Sequence, residues 1–176
     1  VATYSLSFWL PQLIKSWLGA RSNTLLGFFL MVPYLVALAG MVLVSRHSDQ
    51  RLERRCHIAI CSVVAGITLI LLGLAHSMLL SVVLLSIAAM GTFSAVPVFY
   101  SLPCEFLNGF SAASGIALIT SIANLGGFAG PYTVGFIRQQ TGSLYPGMEL
   151  AGVSLFACAT LVLLLPRRMH SPRAFS

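Results

Sequence analysis

The best cluster of polar side chains in this sequence is Thr120, Ser121 and Asn124. Thr120 and Asn124 are four positions apart, and Ser121 is three before Asn124, so all three share one face of a helix. An amide side chain both donates and accepts hydrogen bonds. Such a face binds a solute that carries hydroxyl or carboxylate groups, or it joins neighbouring helices. The residues alone leave both interpretations open.

Aromatic residues form a second set of candidates. Polar and aromatic side chains recur at helical spacing near the start of the chain, at Tyr4, Ser7, Trp9 and Gln12. Tyr100 lies close to the end of a long apolar run. Their rings are able to stack on a solute or simply to fill space between helices. Trp9 equally suits an anchoring position where apolar and aqueous surroundings meet.

Charged residues are concentrated in one segment, SRHSDQRLERR, which covers residues 45–55. There Asp49 precedes Arg51, Arg54 and Arg55. The rest of the chain has no nucleophile–base pair and no His, Asp and Glu cluster, and its four cysteines form no CxxC motif. The sequence therefore predicts neither an enzyme nor a cofactor or metal site.

The elements that must position these residues follow from composition. Only 14 of the 176 residues are Asp, Glu, Lys or Arg, which is 8%, and 57% are apolar. An ordinary soluble domain has about 25% charged residues and needs them to cover its surface. The composition argues against a soluble enzyme, a nucleic-acid-binding protein and a disordered chain. It predicts an all-α integral membrane protein in a lipid bilayer.

Long charge-free stretches locate the predicted spans. Residues 56–104 hold no charge over 49 positions, which is enough for two helices of about 20 residues each. Six spans are predicted at about 1–15, 25–44, 58–75, 79–101, 111–136 and 147–165. The first is short, because the apolar run Val1–Ile14 has 14 residues and rises only about 21 Å, against a bilayer core of about 30 Å. We therefore expect a truncated first helix.

The distribution of positive charge predicts the orientation. Six spans put both ends on one side, together with seven Lys and Arg residues, and leave Lys15, Arg21 and Arg138 on the other. Positive residues favour the cytoplasmic side, so both ends are expected there. The basic segment at 45–55 is also able to attract anionic lipid headgroups.

Proline and glycine interrupt the fifth predicted span. Its sequence contains Gly126, Gly127, Gly130 and Pro131. Gly126 and Gly130 form a GxxxG pair, which allows two helices to approach closely. The alternative interpretation is a broken helix beside a transport pathway.

Three segments together closely resemble the C-terminal half of major facilitator superfamily transporters. They are FWLPQLIKSW, VPYLVALAGMVLVSRHSDQRLERR and SLPCEFLNGFSAASGIALITSIANLGGFAGPYTVGFIRQQTGS. Within that superfamily they look like the anion:cation symporter branch, which includes bacterial tartrate, phthalate, hydroxyphenylacetate and sugar-acid permeases. The resemblance covers about residues 4–166.

This resemblance implies the fold and the function. Residues 1–168 would be the seventh to twelfth helices of a twelve-helix transporter in a bacterial inner membrane, and residues 169–176 a cytoplasmic tail. The function would be secondary active uptake, by alternating access, of small organic anions such as aromatic, sugar or dicarboxylic acids. Uptake would be coupled to a cation that we expect to be H⁺. An N-terminal six-helix half would complete the cavity and carry the ionisable coupling groups. The alternative is a non-transporting membrane subunit or scaffold, which predicts unbroken spans without polar faces.

The resemblance also assigns residues. Gating would involve an Asp followed by basic residues, here Asp49, Arg51, Arg54 and Arg55. The family commonly has Arg directly after this Asp, where the chain has Gln50. The predicted substrate-binding residues are Tyr4, Trp9, Tyr100, Thr120, Ser121 and Asn124. Tyr100 stands where the family often has Trp, and Thr120 where it often has Asn.

Overall fold

The computed structural model describes residues 1–19, 23–106 and 110–165, so the predicted tail at 169–176 lies outside the described residues. The described chain is all-α, as predicted. A 3₁₀ turn, Leu72–Leu74, continues the third helix. The helices are α1 (Ala2–Leu18), α2 (Asn23–Arg51), α3 (Arg54–Leu71), α4 (Met78–Phe106), α5 (Phe110–Thr141) and α6 (Tyr145–Leu164).

Five of these helices are long and apolar enough to cross a membrane, namely α2 to α6. The first helix is not among them: α1 has 17 residues and rises about 25 Å. The prediction of six spans is therefore supported for five, and α1 is short, as the sequence indicated.

Contacts between distant helices fix their relative directions. Tyr4 meets Asn124 and Gln12 meets Arg138, so α1 runs parallel to α5. A short connection reverses the chain between α5 and α6, and Arg55 at the start of α3 meets Val162 at the end of α6. The 45–55 segment and the end of α6 therefore share one end of the bundle, called here the arginine end. The C-terminal ends of α1 and α5 lie at the other end of the bundle, called here the opposite end.

Glycine brings α3, α4 and α6 into close contact. A Cβ added at Gly66 would lie 3.0 Å from the Gly152 carbonyl oxygen, and one at Gly152 would lie 2.9 Å from that of Gly66. A Cβ at Gly91 would lie 2.6 Å from the Cys61 carbonyl oxygen and 2.9 Å from the Ala65 Cβ. These three helices form a tightly packed part of the core, which also includes the buried Leu6, Leu10 and Ile14 of α1.

The helices differ sharply in how far they are buried. Half of the most apolar stretch of α4 is buried inside the bundle, compared with 17% for α2 and 6% for α5. Large apolar side chains on α5 are open, with Leu125 72% and Phe128 74% exposed. Exposed apolar surface on this scale requires lipid or another apolar partner around the bundle.

The predicted break in the fifth span is wrong, because α5 continues as an α-helix through Pro131. A proline removes one backbone hydrogen bond, and a long helix tolerates that loss when neighbours supply new partners. The close-approach interpretation of the glycines fits instead. A Cβ at Gly130 would lie 2.7 Å from Ser5 Oγ, and one at Gly126 would lie 3.4 Å from Val1.

Candidate functional site

The centre of the candidate site is a hydrogen bond between α1 and α5. The Tyr4 hydroxyl donates to Asn124 Oδ1 at 3.2 Å. Gly127 makes room for the Tyr4 ring, because a Cβ at this position would lie 2.8 Å from the ring edge. A missing side chain on α5 thus fixes the direction of an aromatic ring on α1.

An open groove of about 510 Å³ surrounds this hydrogen bond. Phe128 and Tyr132 stack along it, with ring centroids 5.9 Å apart and planes inclined by 17°. The groove thus offers aromatic faces along its length and one amide. Its lining residues are Tyr4, Phe8, Asn124, Gly127, Phe128, Pro131 and Tyr132.

A second polar pair lies one helical turn away, between α5 and α4. The hydroxyls of Thr120 and Tyr100 are 3.4 Å apart, and Thr120 also donates to the Ile116 carbonyl at 2.8 Å. Thr120 and Asn124 therefore reach two different neighbouring helices from one side of α5. Ser121 is exposed and donates to the Ala117 carbonyl at 2.9 Å, within its own helix.

Trp9 lies farther along α1, toward the opposite end. Its indole N–H donates to the Pro131 carbonyl at 3.2 Å. The ring occupies space that a side chain at Gly135 would take, since a Cβ there would lie 3.2 Å from the indole. The Arg138 guanidinium lies over the indole at 5.5 Å and donates to Gln12 Oε1 at 2.5 Å.

Sequence reasoning assigned Arg138 only an orientation charge and missed this arrangement. Trp9 and Gln12 are three positions apart on α1, and Gly135 and Arg138 are three apart on α5. That spacing puts each pair on one helix face, but it does not reveal that the two faces meet.

The predicted gating residues lie together at the arginine end. Asp49 and Arg54 form an ion pair with an N···O distance of 3.4 Å, and their side chains are 64% and 18% exposed. Arg55 donates to the carbonyls of Val162 and Leu163, which joins the start of α3 to the end of α6. Arg51 is exposed and is the last residue of α2.

The turn between α2 and α3 has two further features. Leu52 adopts a left-handed conformation with φ 55°, which is uncommon for a residue with a bulky side chain. His47 Nδ1 and His57 Nε2 are 2.8 Å apart, and His57 Nδ1 is 2.6 Å from the Glu53 carbonyl oxygen. A carbonyl only accepts, so His57 Nδ1 carries a hydrogen and donates it to the Glu53 carbonyl.

Taken together, the structure pairs Tyr4 with Asn124 and Tyr100 with Thr120 on adjacent turns of α5. Trp9 stands beyond the groove, and Ser121 donates within its own helix and joins neither pair. Hydroxyl, amide and aromatic groups make up the site in the described chain. This set binds through hydrogen bonds and ring stacking, and it supplies no charge of its own.

Curated bacterial transporters are similar to almost the whole chain. This chain is 39% identical over 171 residues to a putative tartrate transporter of Agrobacterium vitis. The matched region covers 97% of this chain and 37% of that protein. The chain is 33% identical over 170 residues to the putative metabolite transport protein NicT of Pseudomonas putida, with 96% and 39% covered. A quinolone resistance transporter of Acinetobacter baumannii is 34% identical over 153 residues, with 87% and 35% covered.

Two other comparisons found nothing. No protein-family model matches the chain, and no solved structure matches it. The chain spans 35–39% of the length of the three transporters it matches.

Five apolar helices and these relatives identify an integral, multi-pass membrane protein. The chain belongs to the family of these bacterial transporters, which confirms its resemblance to the C-terminal half of major facilitator superfamily proteins.

Proposed function

We propose that this chain forms half of the solute cavity of a secondary transporter for small organic anions. The observation that carries the proposal is the aromatic groove between α1 and α5, with the Tyr4–Asn124 hydrogen bond at its centre. Asn124 presents a donor and an acceptor, and it therefore suits either a carboxylate or a hydroxyl of the solute. Tyrosine rings suit the apolar body of the same solute.

The lack of charge in this groove has a consequence for coupling. Binding an anion inside a membrane needs a positive partner, and cation coupling needs a titratable group within the bilayer. Residues 106–137, which include most of α5, contain no charged residue. We infer that an N-terminal six-helix half supplies the positive partner and the proton-binding carboxylate.

Each predicted substrate-binding residue receives a role in this proposal. Asn124 and Tyr4 hold the polar group of the solute, while Thr120 and Tyr100 extend the polar surface toward α4. Ser121 borders the same side of α5. Trp9 borders the groove toward the opposite end, where its indole bonds the Pro131 carbonyl.

Alternating access is proposed to involve the arginine end. Asp49 and Arg54 would separate or re-pair as the cytoplasmic side opens, with Arg51 beside them, and Arg55 would keep α3 attached to α6 throughout. We propose that this end and both chain termini face the cytoplasmic side of a bacterial inner membrane, and the excess of arginine supports this orientation. A non-transporting scaffold is not favoured, because the relatives are named transporters.

Uptake by proteoliposomes tests the function. They would contain the complete gene product, because this chain spans only part of the length of its relatives. The panel contains tartrate, aromatic acids and sugar acids, with a quinolone included because one relative carries that name. We expect saturable uptake of at least one organic anion, driven by an inward proton gradient and abolished by a protonophore. No uptake of any anion by folded protein would refute the proposal.

Cysteine labelling tests the orientation. Gln50→Cys and Thr141→Cys are introduced singly after the native cysteines are replaced. An impermeant reagent added to intact cells should modify position 141 and leave position 50 unmodified until the cells are opened. The reverse pattern would overturn the proposed orientation and the cytoplasmic gate with it.

A further inference from the structure

A positively charged side chain, Arg138, lies next to the groove, on the side of the groove that faces the opposite end of the bundle. Trp9 connects the two, because its N–H bonds Pro131, which lines the groove, and its ring carries the Arg138 guanidinium. Arg138 is itself exposed. A cation held beside an uncharged groove is therefore reachable from the aqueous side of this end.

Three contacts hold this cation in place. The indole lies under the guanidinium at 5.5 Å, and Gln12 Oε1 accepts one of its N–H groups at 2.5 Å. Gly135 leaves the space in which the indole sits. A guanidinium has five donors in a planar fork, and a single one is committed to Gln12 in these contacts. The remaining donors match a planar carboxylate, which a guanidinium binds with two parallel hydrogen bonds.

We propose that Arg138, supported by Trp9 and Gln12, forms a carboxylate capture site at the mouth of the α1–α5 groove. This proposal rests on the transport function proposed above and adds a second, outer binding position to it. The ligand is a solute with a carboxylate on a compact, preferably aromatic body. Its carboxylate binds Arg138 first, and the solute then moves into the groove, where its ring faces the stacked Phe128 and Tyr132.

A simpler role for Arg138 makes a different prediction. A positive side chain in the last turn of a helix stabilises the carbonyl end of the helix dipole. Lys15 also lies in a last turn, that of α1, at the same end of the bundle, and it is exposed. If charge alone matters, removing Lys15 or Arg138 should have similar effects. A capture site depends on Arg138 alone.

Chemical protection tests the site without any variant. The complete gene product in membrane vesicles is treated with phenylglyoxal, which modifies arginine, and modification is located by mass spectrometry. Benzoate at about four times its dissociation constant should leave about one fifth of the sites free, so Arg138 should be modified about fivefold more slowly. Benzamide, which has the same shape without the charge, should give no protection. Exposed Arg46 at the arginine end serves as the internal control.

Benzoate uptake kinetics test the role in transport. Arg138→Gln keeps a donor for Gln12 and removes the charge, so the KM should rise about tenfold with little change in kcat. Arg138→Lys keeps the charge without the planar fork. Its KM should therefore lie between that of the unmodified protein and that of Arg138→Gln. The KM of the unmodified protein should rise with ionic strength, and that of Arg138→Gln should rise less. Lys15→Gln is the matched control, and its KM should stay within about twofold of the original.

The two assays separate this proposal from the transport function. Protection of Arg138 by benzoate in a protein that takes up no anion would support the capture site and count against transport. Equal modification with and without benzoate, or equal effects of Arg138→Gln and Lys15→Gln on KM, would overturn the capture site. Organic anion uptake would then stand on its own.

Discussion

Glycine has different roles in two regions of the bundle. One region is the packing of α3, α4 and α6, and the other is the contact between α1 and α5. In the core it admits the backbone of a neighbouring helix, as Gly91 does for the carbonyl of Cys61. At the α1–α5 contact it also admits aromatic side chains, as Gly127 does for Tyr4 and Gly135 for Trp9. A backbone has no room to move aside, whereas a ring rotates. The first region should therefore govern stability, and the second should govern the direction of groups that meet a solute.

Side-chain hydrogen bonds contribute differently in the two regions. Between α3 and α6, Arg55 forms them at the arginine end, where it meets Val162 and Leu163. Side chains reach from α1 to α5 through Tyr4, Trp9 and Gln12. The contact of Gly66 with Gly152 between α3 and α6 is a close approach of two backbones. Close van der Waals contact gives a rigid frame, and directional polar contacts give a surface that is able to exchange its partners for those of a ligand.

The largest expected effect is on stability, from Gly91→Ala. Its new methyl group would lie 2.6 Å from the Cys61 carbonyl oxygen, and neither backbone is able to yield. We expect a loss of about 2–3 kcal/mol in the free energy of unfolding. Thermal unfolding in detergent measures it. Gly27→Ala is the control, because nothing lies within 4 Å of a Cβ there. Equal melting temperatures for the two variants would contradict the division of roles.

The next effect is on solute binding, from Asn124→Ala. Losing one buried hydrogen bond to the bound solute costs about 1–3 kcal/mol, which corresponds to an increase of about 5- to 150-fold in the apparent KM. Uptake kinetics measure this, with membrane expression expected to be unchanged. Thr160→Ala is a matched control, because its hydroxyl is exposed on α6 and bonds within its own helix. A loss of membrane expression in Asn124→Ala would instead indicate that Asn124 serves only as a contact between helices.

A substitution at one glycine that lines the groove, Gly127→Ala, should affect binding more than stability. The added methyl group would lie 2.8 Å from the Tyr4 ring, which has room to turn because Tyr4 is 44% exposed. We expect the KM to rise about threefold to tenfold and the free energy of unfolding to fall by less than about 1 kcal/mol. Gly126→Ala, with an ordinary 3.4 Å contact, should change neither. A melting temperature as low as that of Gly91→Ala would show that the groove belongs to the rigid frame.

The smallest effect on stability is expected from Asp49→Asn, although its effect on turnover should be clear. Its ion pair with Arg54 is partly exposed and is worth about 0–1 kcal/mol. If the pair belongs to the cytoplasmic gate, the variant should lower kcat more than it changes KM and should raise labelling from the cytoplasmic side. Glu53→Gln makes the same chemical change at an exposed position nearby. Identical kinetics for both variants would leave Asp49 with an orientation role only.

Sequence patterns predicted the helices better than their ends. The last span was predicted at 147–165 and the helix covers Tyr145–Leu164. The second was predicted to end at residue 44, yet α2 continues to Arg51. Charge ends the part of a helix that lies in lipid, because burying it is costly there, but it does not end the helix. The 45–55 segment is therefore mostly helical and not simply a connector.

The candidate site was predicted as residue types, and its pairing was not. Helical spacing correctly placed Thr120 and Asn124 on one face of α5. Only the structure shows that their partners lie on two different helices, α4 for Thr120 and α1 for Asn124. The Gly126–Pro131 segment was ambiguous for a physical reason. Glycine and proline weaken an isolated helix, yet α5 is continuous here and packs closely against α1.

The parallel pairing of α1 and α5 also sets the order in which the molecule is assembled. Tyr4 and Asn124 are 120 positions apart, and Gln12 and Arg138 are 126 apart. A ribosome adds about 5–20 residues per second, so the polar groups of α1 wait about 6–24 s for their partners to be synthesised. The contact of α3 with α4 joins neighbours in the chain and forms earlier. The groove is consequently completed only after α5 has been synthesised, later than the contact of α3 with α4.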